Sequence, residues 1–267
     1  MSASILGMIL STIFLLQIIL HAISDMRVFN DIPGFILIVG CTVSVALCVY
    51  TGKDTMHIFK LMLITFKPHV DTNADTVTEI MTLVKETDGD YKRLEGMLGN
   101  IKHPFLKEGV QLVVERFESH HIEEILKERV KKAKEEHAHK TNSVKTLAKY
   151  PPAFGIMACV IGLISVMQKL GGALGPGELA PSMAVALVGT LIGLVAANFV
   201  IMPMGENLQI KADIDIKDRK IIQAAVLMLA RKEAALVIQE KLNSYLSADK
   251  RVDVLGIGGG ASTRKAS

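Results

Sequence analysis

The chain has 267 residues, half of them hydrophobic, and a mean hydropathy of +0.37 despite 21% charged residues. That mixture argues against an ordinary soluble domain and for apolar membrane spans alternating with charged soluble parts. The formal net charge is only +3, with basic residues interleaved among acids, so nucleic acid is not an expected partner.

The first uncharged run, residues 4–24, has no basic segment before it and no small-residue cleavage site after it. It is expected to be a retained membrane helix, with His21 neutral at the interface. A short polar turn leads to a second uncharged run, residues 32–52. A charged region, residues 53–149, follows and is expected to be a helical domain. Residues 76–85 and 105–117 carry apolar positions at helical spacing, and residues 121–149 read as one long charged helix. Ile122, Ile125, Leu126 and Val130 line one side of that helix. No alternating strand pattern stands out, so the fold class expected is all-α.

Residues 151–168 and 179–205 again lack any charge, and a Gly/Pro-rich turn joins them. Each run is long enough for a hydrocarbon core of roughly 30 Å, which takes about 20 helical residues. The spans are thus expected at 4–24, 32–52, 151–170 and 179–204. Small residues recur along both later runs. Gly155, Cys159, Gly162 and Ser165 share one helix face, as do Ser182, Ala186, Gly189/Thr190, Gly193 and Ala197. Such stripes allow close helix packing, and they equally suit a narrow, weakly polar pore wall; spacing leaves both readings open.

Of the 30 Lys and Arg residues, only Arg27 and Lys169 lie in the two short turns between runs. Lys53, Lys60 and Lys67 follow one span closely, and Lys145 and Lys149 precede another. By the positive-inside rule, both termini, the central region and the C-terminal part are expected in the cytoplasm. Residues 205–247 are expected to form a single amphipathic helix, with Ile221, Ala224, Leu227, Leu229, Ala235 and Ile238 on its apolar side. Residues 248–267 are Gly/Ser-rich towards their end and expected to be disordered.

No nucleophile motif and no phosphate-cradling loop occurs, so neither catalytic residues nor a cofactor is expected. Cys41 and Cys48 lie about 10 Å apart along one helix and cannot bridge each other, and Cys159 sits in another span. His120, His121, His137 and His139 read as a solvated helix face, and no metal site is expected. None of the spans supplies Asp or Glu. Ion movement through them therefore requires a carboxylate from a partner.

Several segments, in order, resemble the MotA/PomA flagellar stator subunits of the MotA/TolQ/ExbB superfamily. Pro152-Ala153-Phe154-Gly155-Ile156 with Val160-Ile161-Gly162-Leu163-Ile164 is similar to the family's third span. Ala186-Leu187-Val188-Gly189-Thr190-Leu191-Ile192-Gly193, then Ala197-Asn198 and Pro203, is similar to the fourth. Asp31-Ile32-Pro33 leading into Ile38-Val39-Gly40 and Thr42 resembles the second span, and His103-Pro104-Phe105-Leu106-Lys107-Glu108-Gly109 resembles a cytoplasmic segment.

The resemblance implies a homopentamer in the bacterial inner membrane around a MotB/PomB-like single-span partner. That partner would carry the membrane aspartate, and the rotor protein FliG would receive the force. It also implies roles for residues. Pro152 and Pro203 match the prolines that couple ion passage to movement, each able to bend or end a helix. Thr190 matches a pore-facing threonine, and a bond from its hydroxyl to its own helix is the alternative. Cys159 occupies a position where sodium-driven members tend to carry threonine. A thiol suits a hard cation poorly, which favours protons. Gly155, Gly162, Gly189 and Gly193 are the packing glycines. Lys85, Lys92, Arg93 and Glu95 are the expected rotor-facing charges, although Thr87 stands where the family's basic residue would fall. The competing expectations are an ExbB/TolQ-type energiser of an outer-membrane system and a non-conducting scaffold.

Overall fold

The computed structural model describes residues 3–22, 29, 31–64, 72–87, 90–170 and 176–256. Its helices are α1 (Ala3–Ala22), α2 (Ile32–Val49), α3 (Gly52–Ile64), α4 (Asn73–Thr87), α5 (Tyr91–Met97), α6 (Pro104–Val114) and α7 (Ser119–Leu147). They continue with α8 (Tyr150–Leu170), α9 (Pro176–Val195), α10 (Met202–Ala230) and α11 (Ala235–Asn243). A π-helical turn, Ala196–Ile201, joins α9 to α10. No strand occurs among the described residues. The chain divides into two compact units, residues 1–69 with 137–210 and residues 70–136 with 211–267, and passes from one to the other within α7 and α10.

The first unit holds the apolar helices. Three helical stretches are long and apolar enough to cross a membrane, Ile32–Val49 and the apolar parts of Ser119–Gln168 and Met183–Ala230; the described apolar part of α1 is shorter, Ile9–His21. Many of their large side chains are exposed, Phe14, Ile18, Phe35, Ile36, Ile161 and Leu187 among them, as suits apolar helices whose backbone groups are all bonded within the helix. Asp31 caps α2, its carboxylate accepting from the Gly34 N–H at 3.0 Å, with Pro33 in the first turn. A small core forms where α2, α3, the end of α7 and the start of α10 meet, through Ala46, Ile58, Met62, Val144, Leu147 and Met204.

The second unit is a conventional helical core. Ile80, Met81, Leu106, Ile122, Leu126, Ile221, Ile222, Ile238 and Leu242 are fully enclosed, drawn from α4, α6, α7, α10 and α11. The expected stripe on the long charged helix is its buried side: Ile122, Leu126 and Val130 are enclosed and Ile125 is half-buried. Gly109 lets α10 approach α6, since a Cβ there would lie 2.8 Å from a Val226 methyl.

Three boundaries differ from the sequence expectation. The single helix over 205–247 is broken, because Lys232 takes a left-handed backbone (φ 54°) and ends α10, with Glu233 N–H bonding back to Met228 O at 3.0 Å. Residues 248–256 are not disordered. Buried Gln239 accepts from the Val254 and Leu255 N–H groups at 3.1 and 3.2 Å, and Asn243 exchanges two 2.9 Å bonds with Val252. The rest of the tail, 257–267, lies outside the described residues, as does the Gly-rich stretch 171–175. Finally, α3 and the seven-residue α5 arise within the charged region, where periodicity marked neither.

Candidate functional site: the α8–α9 helix pair

The two stripes of small residues face each other. A Cβ on Gly155 would lie 2.9 Å from Gly189 O, and one on Gly162 would lie 2.5 Å from the Ala186 methyl. A Cβ on Gly189 would meet the Ala158 methyl at 3.0 Å, and one on Gly193 would meet Pro151 O at 2.4 Å. Rising numbers on α8 pair with falling numbers on α9, so the helices are antiparallel with their backbones in near contact. All four packing glycines lie in this seam.

Thr190 completes it. Its hydroxyl donates to Gly155 O at 3.2 Å, across to α8 rather than back along its own helix. The bond occupies a carbonyl beside a glycine, where no side chain screens it. A half-buried hydroxyl that can both donate and accept is a means of solvating a passing ion or holding a water. Cys159 is also half-buried, and its thiol is free.

The prolines bracket the pair. Pro152 lies in the first turn of α8, where a missing N–H leaves no intrahelical bond unmade. Pro203 does not end its helix. The chain continues through it as α10, and the preceding turn widens so that Met202 N–H reaches Ala197 O, five residues back. A π turn of this kind absorbs the ring that would clash in a regular helix. Pro203 is half-buried and lines a cavity of about 500 Å³ with Ser11, Asn198, Phe199 and Asn207.

One charged residue escapes a search confined to the spans. Asp31, at the mouth of α2, lines a cavity of about 300 Å³ with Pro33, Gly34, Ala158, Gly162, Ser165 and Ala186. A Cβ on Gly189 would lie 3.8 Å from its Oδ2. The sequence signal was its position one residue before an apolar run, as an N-cap, which places the carboxylate over the first turn.

The four candidate charged residues for partner contact lie in the second unit. Lys92, Arg93 and Glu95 are exposed together on α5, with Arg93 Nε 3.9 Å from Asp90. Lys85 is exposed on α4 and donates to Val254 O at 3.3 Å. Thr87 is 1% exposed, its hydroxyl donating to Leu83 O at 2.7 Å, so that position is interior and unsuited to a basic residue. In the same unit Asp218 on α10 is buried, accepting from the hydroxyls of Thr72 and Thr76. Burial pushes its carboxyl pKa up, against the pull of those bonds and of His103. No group of three or more His, Cys, Asp or Glu suited to a metal occurs among the described residues.

Comparison with known proteins gives the following. Residues 98–221 match the sequence model of the MotA/TolQ/ExbB proton channel family. The chain is 25% identical over 250 residues to chemotaxis protein PomA of Vibrio alginolyticus, covering 93% of this chain and 96% of that protein. It is 28% identical over 243 residues to motility protein A of Cereibacter sphaeroides, covering 90% and 93%. Its fold is that of a chain in the C. jejuni MotAB structure, with a TM-score of 0.85 at 20% identity over 94% of this chain and 98% of that one. A chain of the flagellar MotAB stator complex from Bacillus subtilis gives 0.80 at 23% identity over 93% and 97%.

Proposed function

We propose, for a chain that belongs to the MotA/TolQ/ExbB proton channel family, the work of a flagellar stator subunit: with a MotB-like partner it forms an ion channel that couples ion flow to torque. The observation that carries this reading is the near end-to-end match to motility proteins, together with the likeness of the whole helical fold. Four spans sit in the inner membrane with both termini in the cytoplasm. Residues 53–149 and 205–247 supply the cytoplasmic part. A homopentamer surrounds the partner, whose aspartate carries the ion, and FliG receives the force.

The α8–α9 pair fits this work physically. Glycine contacts make it a stiff two-helix lever, because backbones in contact cannot slide without clashing. Pro152 and Pro203 stand at its cytoplasmic ends; Pro203 lies within a continuous helix, where its missing N–H leaves the chain free to bend at the π turn. Thr190 is the polar group along the ion path. Asp31 adds a negative charge beside Gly189, partway along the seam, which raises the local cation concentration. Cys159 favours protons, since a thiol offers a hard sodium ion little.

The test is motility of a deletion strain carrying this gene and its partner, with and without sodium and with and without an uncoupler. Proton coupling predicts swimming that the uncoupler stops and sodium removal does not. Thr190→Val or Pro152→Ala is expected to abolish or impair swimming while the complex still assembles. Full-speed swimming of both variants would remove these residues from the mechanism.

A further inference from the structure

Only Tyr50 and Thr51 separate α2 from α3. The Thr51 hydroxyl caps the new helix, donating to Asp54 Oδ2 at 2.5 Å and accepting from the Asp54 N–H at 3.4 Å. Thr55 ties α3 back to α2, its hydroxyl donating to Ala46 O at 3.3 Å. Ile58 and Met62 carry the same face into the small core that holds Ala46, Leu147 and Met204, with Tyr50 and Tyr150 packed against it. At that core α2 ends, α8 begins and α10 begins. It marks one end of the apolar helices, and two tyrosines beside it suit the border between hydrocarbon and water. Helix α3 is held at that border.

The rest of α3 is open. Met56 is 62% exposed and Phe59 37%. At about 100° per residue, these two form a flank beside the buried Thr55, Ile58 and Met62. Lys53, His57 and Lys60, all exposed, lie opposite the buried face. The acid of the helix, Asp54, falls on the far flank and is held by Thr51. Helix α3 therefore has a face on the core, an exposed apolar flank, and a basic strip next to that flank. Water suits the strip and not the flank, and hydrocarbon suits the flank and not the strip. A membrane surface suits both at once, because lysine stems can lie along apolar matter with their charges in the headgroup layer. An anionic phospholipid supplies both chemistries in one molecule, acyl chains for Met56 and Phe59 and a phosphate for the lysines.

We infer that α3 lies along the cytoplasmic surface of the membrane and holds anionic phospholipid, with Lys53 and Lys60 on the headgroups and Met56 and Phe59 among the acyl chains. The inference rests on the membrane topology proposed above and not on torque. Since Ile58 and Met62 share a core with Val144, Leu147 and Met204, the bound lipid also steadies the end of α7 and the start of α10.

The chain contains no tryptophan, so Phe59→Trp places a reporter of known position on the apolar flank. The purified complex carrying it is reconstituted in vesicles of dioleoyl phosphatidylcholine and dioleoyl phosphatidylglycerol. Each lipid in turn is brominated as a quencher, and the emission of the parent complex is subtracted. Both lipids should quench the indole, with phosphatidylglycerol preferred at low salt and less so at high salt. Lys53→Gln with Lys60→Gln should reduce that preference by up to about thirty-fold, the effect of two lysines near an anionic surface. Lys132→Gln with Lys134→Gln, the same charge change at exposed positions of α7, should leave it unaltered. Quenching by neither lipid shows that protein covers the flank and overturns the inference. Equal quenching by both, or a preference that the Gln pair at 53 and 60 does not alter, overturns it too. Should Phe59→Trp fail to fold, native mass spectrometry of the parent and Gln-pair complexes counts the phosphatidylglycerol retained. Fewer molecules on the Gln pair are expected, and equal numbers overturn the lipid site. A topology reporter inserted after Asn100 separates the premises. A periplasmic reading overturns the topology and the leaflet with it, whereas a cytoplasmic reading without lipid preference overturns the lipid site alone.

Discussion

Gly193→Ala probes the α8–α9 seam most directly. The new Cβ would lie 2.4 Å from Pro151 O and 3.0 Å from its carbonyl carbon, both backbone atoms in the first turn of α8. No rotamer change relieves that clash. The helices must part by about 0.9 Å locally to reach a normal carbon–oxygen approach of ~3.3 Å. A movement of that size stretches the Thr190–Gly155 bond, now 3.2 Å, beyond hydrogen-bond range. Overpacking costs about 1–3 kcal/mol, and a lost interhelical bond in a membrane about 0.6 kcal/mol. The better helix propensity of alanine returns up to ~1 kcal/mol, so a net loss of about 1–3 kcal/mol is expected. The control is Gly40→Ala on α2, where a Cβ would meet nothing within 4 Å. Both proteins would be unfolded in detergent by heat or by SDS titration and followed by far-ultraviolet circular dichroism. Gly193→Ala should lower the midpoint, and Gly40→Ala should leave it unchanged or slightly raised. Equal midpoints would show that the glycine seam does not hold the pair together.

Two further outcomes follow from the second unit. Asp218 has a raised carboxyl pKa in the folded protein, so the folded state binds its proton more tightly than the unfolded one. Its contribution is therefore fully present below the unfolded value of 3.8 and is lost as pH rises through the folded value. Asp218→Asn should abolish that fall in stability, measured by denaturant unfolding at a series of pH values; an unchanged pH profile would refute the assignment. Gln239 accepts two backbone N–H groups from residues 254 and 255. Gln239→Leu should cost about 1–3 kcal/mol of local stability by orphaning them, seen as faster amide exchange and proteolysis around 252–256. Exchange rates equal to those of the parent would show that this segment docks by other means.

Much of the architecture was legible because periodicity and charge act locally. Absence of charge marked the apolar helices, a 3.6-residue apolar repeat marked α4, α6 and α7, and the small-residue stripes were visible as stripes. What escaped depended on groups far apart in the chain. Seven-residue α5 is too short to show a period, and its burial of Leu94 comes from the surrounding core. The break after α10 carries no Gly or Pro, because a lysine takes the left-handed position there. Segment 248–256 looks like tail until Gln239 and Asn243, one turn apart on α11, offer amide side chains to its backbone.

The site divides along the same line. Gly155, Gly162, Gly189, Thr190 and Gly193 were readable as stripes, since helix spacing depends only on near neighbours, whereas Pro152 and Pro203 were singled out by the resemblance. Which stripe each faces was not readable. Only the folded pair turns the glycines inward, sends the Thr190 hydroxyl across to Gly155 O, and lets the chain run through Pro203 by widening one turn. Likewise Thr87 is interior, while Arg116 and Lys232, over a hundred positions apart, meet at Tyr91. The sequence by itself determined where the long apolar and amphipathic helices form and which solvent each suits, but not α3, α5 or the break after α10. Tertiary packing decided what each face touches, because an apolar or small-residue stripe specifies that it must be covered and leaves open by what.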